Sequence, residues 1–136
     1  MTAKEQLQEL RRLDAEINNK IKELEQLRQR AVGVGGFDYS KDRVVSSPSG
    51  DALPDMVSRI LTLDEQINDM IDELADKRRE AYQMICRLDS EAEQDVLYWR
   101  YIRGQSWRRV AEEMNISVRQ AHYKHGDALA HLEDKI

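Results

Sequence analysis

The chain has 136 residues, 40% hydrophobic and 35% charged, with a formal net charge of −5. That length suits one domain, or a small domain with an extended arm, and the acidic balance argues against binding nucleic acid through a bulk basic field. The single Cys86 excludes an internal disulfide and a cysteine-built zinc cluster, no apolar run nears the ~20 residues needed to span a bilayer, and MTAKEQLQELRR lacks the apolar core of a signal peptide. A cytoplasmic protein without membrane attachment is expected. Glu, Gln, Arg, Lys, Leu and Ala dominate, and these residues lose little rotamer freedom in a helix, so the expected fold is all-α.

Residues 1–31 read as a first long helix. Leu10, Ile17, Leu24 and Ala31 recur every seven residues, and Leu7, Leu13, Ile21 and Leu27 widen the stripe. Residues 32–53, rich in Gly and Ser, read as a flexible linker. Residues 54–88 read as a second long helix, with Pro54 in its first turn, where a missing N–H costs nothing. Its stripe is Ile60, Ile67, Leu74, Ala81 and Leu88, joined by Leu63, Met70, Ile71 and Ile85.

Aligned with a shift of fifty residues, 10–31 and 60–81 share Leu13/Leu63, Asp14/Asp64, Ile17/Ile67, Asn18/Asn68, Ile21/Ile71, Glu23/Glu73, Leu24/Leu74, Arg28/Arg78 and Ala31/Ala81. Duplication and convergent heptads both account for this. The linker closes an antiparallel hairpin most easily, and a parallel pairing stays within its extended reach. Two helices alone leave much of so wide a stripe exposed, so a homodimer through the long helices is expected.

Residues 89–136 read as a three-helix domain. Ser90, with Glu93 three residues on, can cap the first helix from both sides, and Gly104 ends it. Ser106 can cap WRRVAEEM, whose buried face would be Trp107, Val110, Ala111 and Met114. Asn115 suits a left-handed corner, Ile116 plugs it, and Ser117 with Gln120 makes a capping box for the last helix. Gly126 weakens that helix, and Ala128, Leu129 and Leu132 anchor its far half. The last two helices have the layout of a helix-turn-helix.

On this register the residues after the Ser117 cap face a DNA major groove. The base-reading candidates are Val118, Arg119, Gln120, His122 and Tyr123. Arg119 suits guanine, Gln120 suits adenine, and Val118 suits a thymine methyl. Arg108, Arg109, Ser117 and Lys124 are the candidates for phosphate contact. Between Gly104 and His125, four Lys/Arg residues face two Glu residues, a locally positive window in an acidic chain. His122 and His125 stand one turn apart without a third metal ligand. No P-loop, dinucleotide fingerprint or acid–base pair is present, so neither cofactor, metal nor enzymatic activity is expected.

GQSWRRVAEEMNISVRQAHYKHGDALAHL, residues 104–132, resembles region 4 of bacterial sigma factors. Trp107, Val110 and Ala111 match its first helix, Ser117 its cap, and Ala128, Leu129 and Leu132 its close; Leu97–Ile102 resembles the helix leading into it. The chain departs from that pattern at Val118 and His122, where arginines are usual, and at Ala121 and Lys124, where large aliphatic residues are usual. Over nearly its whole length the chain resembles small prophage proteins of Gram-positive hosts, similar in their C-terminal half to ArpU/RinA-type late-transcription regulators. That resemblance implies double-stranded DNA as a partner and late-gene activation beside host RNA polymerase. The competing expectation is a non-enzymatic interaction protein, a polymerase adaptor or phage packaging component, using the same helices for protein contacts.

Overall fold

The computed structural model describes residues 1–35 and 47–136, with side chains for 1–33 and 53–136. Among the described residues the secondary structure is helical throughout: α1 (Ala3–Gly35), α2 (Ser47–Ile85), α3 (Glu91–Leu97), a π-helical turn (Tyr98–Ile102), α4 (Trp107–Met114) and α5 (Val118–Lys135). The expected all-α fold, with two long helices before three short ones, is the fold found. Residues 36–46 of the expected linker lie outside the described residues. The helices run further into its two ends than expected, to Gly35 and from Ser47, so Pro54 stands inside α2 and not in its first turn.

Two compact units divide the chain, Met1–Ala15 with Glu73–Ile136, and Glu16–Asp72. In the second, Leu24 and Leu27 of α1 pack with Leu63 and Ile67 of α2, flanked by half-buried Ile21 and Ile60. Arg28 of α1 reaches Asp64 of α2 at 3.8 Å beside this cluster. The heptad positions therefore meet as the periodicity predicts, with one exception. Ile71, assigned to the buried stripe, is 45% exposed, as are Val57 (45%) and Leu61 (60%) on the neighbouring face of α2.

The first unit takes in the three helices expected at 89–136 together with the start of α1 and the end of α2. Its core joins Val96, Leu97, Tyr101, Val110, Ala111, Ala121, Ala128 and Leu132 to Leu7, Leu10 and Leu13 from the start of α1, and to Ala81, Met84, Ile85 and Leu88. The start of α1 is also tied by hydrogen bonding, since the Ala3 N–H donates to the Glu133 carboxylate on α5. The start of α1 and the end of α2 thus add buried apolar side chains to those of the three short helices.

Local signals set the corners. Ser106 Oγ accepts from the Arg109 N–H at 3.2 Å, capping α4. Asn115 adopts φ 57°, ψ 43°, the left-handed conformation that ends it. At Ser117 both arms of the capping box close: Oγ accepts from the Gln120 N–H, and Gln120 Oε1 accepts from the Ser117 N–H, each at 3.0 Å. At Ser90 only the hydroxyl arm is made, to the Glu93 N–H at 3.3 Å. The Glu93 carboxylate instead meets His131 Nδ1 of α5 at 2.9 Å, exchanging a cap for a tertiary contact.

Gly104, at φ +65°, ends the π-helical turn as the pattern predicts. That φ strains any L side chain, and a Cβ there would also come within 2.9 Å of Asp14 Oδ2, whose carboxylate would have to turn aside.

Candidate nucleic-acid interface

α4 and α5 are joined by a three-residue corner whose backbone is secured on both sides. Ala111 and Ala121, both buried, provide small side chains on the two facing helices. This leaves the first two turns of α5 projecting outward. Val118 (41% exposed), Arg119 and Tyr123 (61% exposed) occupy that surface. Arg119 leans along the helix onto Tyr123, donating from Nε and Nη2 to the Tyr123 hydroxyl at 3.4 and 3.3 Å, with its guanidinium 5.7 Å from the ring centre. The pair is pre-oriented, and among the described residues no carboxylate neutralises it.

The other base-reading candidates are placed less freely. The two expectations for Gln120 compete: its carboxamide oxygen is committed to the cap, so only the amide nitrogen remains for another acceptor, and bidentate reading of adenine would require opening the box. His122 is exposed, but its ring lies 4.2 Å from the Trp107 ring, centre to centre. It works as a lid on Trp107 as much as an outward donor.

Among the phosphate candidates, Arg108 pairs with Glu112 at 3.5 Å. Arg109 pairs with Glu112 at 3.6 Å and with Glu113 at 3.0 Å. The two arginines of α4 are thus compensated by its own carboxylates. Ser117 is exposed with its oxygen in the cap, and Lys124 is half-buried.

Behind this surface lies a column of rings that the sequence alone did not indicate. The π-helical turn, closed by the Arg103 N–H on the Tyr98 carbonyl at 2.9 Å, turns Tyr101 into the core and sets Arg100 over Trp107, 4.4 Å from the ring centre. His125 stacks against Tyr101, shares a 2.7 Å hydrogen bond with its hydroxyl, and meets the Trp107 ring edge-on at 4.8 Å. Burial, then the positive charges of Arg100, His122 and Lys4, push the His125 imidazole down to about 4, so it is neutral near pH 7. Burial and the facing Arg11 likewise lower Arg100, while burial raises Tyr101. Trp107, expected in the buried face of α4, is half-buried at the centre of this column; Val110 and Ala111 carry the burial. The only sequence signal for the column was the spacing of its aromatics, which equally suits ordinary core.

A family model described as "Protein of unknown function (DUF1492)" matches residues 38–133, more than half of the chain. The chain belongs to the DUF1492 family. No curated protein and no solved structure matches it. The matched segment of this DUF1492 member takes in α3, α4 and nearly all of α5, and so the whole of the surface above. Among the described residues no helix is long and apolar enough to cross a membrane.

Proposed function

We propose that this protein is a sequence-specific DNA-binding transcription regulator that reads duplex DNA with α5. The observation carrying this reading is the doubly closed cap at Ser117, which fixes the start of a helix whose outer face offers Val118, Arg119 and Tyr123 to a major groove. Arg119 is the principal base contact, with Val118 and Tyr123 beside it; Gln120 contributes through its amide nitrogen and His122 from its edge. The resemblance to sigma region 4 and to ArpU/RinA-type phage regulators supports a role in activating late genes beside host RNA polymerase in the cytoplasm. The exposed Val57, Leu61 and Ile71 support homodimerisation through α2, which would pair two reading helices on one duplex. In this reading the protein binds and positions, without catalysing a reaction or holding a cofactor.

A second reading is favoured by a different surface. Tyr82, 49% exposed, packs edge-on against Tyr98 at 6.1 Å, and Tyr98 against Trp99 at 5.5 Å, an aromatic face suited to a protein partner. On that reading the protein is an adaptor to polymerase or a packaging component.

Selection of binding sites from a random-sequence duplex pool separates the two. Enrichment of a common sequence by the full chain is the expected result. A folded protein that enriches none would leave the protein-contact reading in its place.

A further inference from the structure

The cations assigned to DNA phosphates from sequence all lay between residues 108 and 124, and two of the three, Arg108 and Arg109, are paired with neighbouring carboxylates. A different set of positive groups gathers at the start of α4. Arg11, from the third turn of α1, donates from Nη1 to the carbonyls of Arg100 (3.1 Å) and Gln105 (3.5 Å). Arg100 donates from its own Nη1 to the same Gln105 carbonyl at 3.0 Å. Two guanidiniums thus converge on one neutral oxygen.

Like charges so placed repel, and each retains donors that these contacts leave unused. Among the described residues neither has a carboxylate within salt-bridge distance, and the buried Arg100 Nε has no hydrogen-bond partner. Asp14, one turn further along α1, is engaged by Arg78 at 3.7 Å. Lys4, exposed and unpaired among the described residues, adds to the same positive field at His125. The cluster adjoins Trp107, whose ring carries His122, one turn beyond Arg119 on the proposed reading helix.

The geometry points to a phosphodiester site built by Arg11 and Arg100, with Lys4 in support, that grips the DNA backbone beside the groove read by α5; the inference rests on the DNA-binding reading above. Paired guanidinium forks match the oxygens of a phosphate, and a bound anion would relieve the repulsion between them. The start of α1 then serves both as a core element and as part of the binding surface. No residue of the local helix-turn-helix pattern indicates this, because Arg11 lies some ninety residues away in sequence and is brought there by tertiary contacts.

The test is the salt dependence of affinity of the full chain for the enriched duplex and for a shuffled duplex of the same length. Arg11→Gln should weaken both by the same factor, about 5-fold at ~0.15 M salt, and make the slope of log affinity against log salt shallower by about 0.9. Arg11→Lys, which keeps the charge, should retain the slope. Lys4→Gln, which removes an exposed side chain with no bond partner, should shift the slope in the same direction and serves if Arg11→Gln melts early. Wild type that binds with a steep slope, and charge-removed variants that share it, would overturn the site and leave the DNA reading standing; so would a loss of affinity with no change of slope, the mark of a purely structural role. A folded wild type that binds no duplex would overturn both.

Discussion

α4 and α5 carry similar numbers of basic residues, and the structure uses them in opposite ways. On α4, Arg108 and Arg109 are spaced three and four residues from Glu112 and Glu113, so the helix neutralises its own charge. On α5, Arg119 has Tyr123 at the same spacing, a partner that orients the guanidinium and leaves its charge intact. A charge count over the window sees all of these arginines as equal. What distinguishes them is the residue one turn away, and that difference decides which helix can offer a cation to a base edge without first breaking an ion pair.

One corner holds the two helices, and opening it should have the largest effect. Ala121 is fully buried on the α4-facing side of α5. Ala121→Leu should overpack that contact and cost about 1–3 kcal/mol, measured as a lowered denaturation midpoint, with duplex binding falling as the corner opens.

A smaller effect follows from pH. His125 holds α5 to Tyr101 and is depressed to about 4 from 6.5. The unfolded chain therefore binds the extra proton first as pH falls, so His125's contribution is complete above about 6.5 and is lost as pH drops towards 4. After discounting for its partial exposure, about 1–2 kcal/mol should disappear across that window. His131, raised chiefly by its hydrogen bond to Glu93, acts in the other direction, its contribution present at low pH and lost as pH rises through its folded value. Denaturant titrations at pH 7 and pH 5 on wild type and His125→Gln isolate the first effect, and the acid loss should be absent from the variant.

The smallest change acts on the carboxylates of α4. Glu112→Gln with Glu113→Gln should release Arg108 and Arg109, raising affinity for any duplex a few-fold and steepening its salt dependence, with no gain in sequence preference. Salt-titrated anisotropy on the selected and shuffled duplexes checks this.

Much of this fold was legible because its signals are local. Ser106, Asn115 and Ser117 act through hydrogen bonds and dihedrals within four residues of themselves, and the heptads of α1 and α2 need only helical geometry to form a stripe. The failures share a cause of the opposite kind. Glu93 has an equally good local role, and His131, thirty-eight residues away, takes it instead. Gln120 can satisfy the cap or a base, and in the free protein the cap is the partner at hand. Leu7, Leu10 and Leu13 obey the heptad pattern whether they face α2 alone or also complete the core beneath α5, so their periodicity is silent on the second role. Ile71 shows the reverse error, since its spacing marks the edge of the stripe and the edge is left exposed.

The different roles of the α4 and α5 arginines are tested most simply by binding of the selected duplex by Arg119→Ala and Arg108→Ala side by side. Loss of about 1–3 kcal/mol of affinity with Arg119→Ala, and relaxed preference at one base pair, is the result predicted; Arg108→Ala should change affinity by less than about 0.5 kcal/mol. Equal losses from the two variants, or none from Arg119→Ala, would contradict the assignment of α5 as the reading helix.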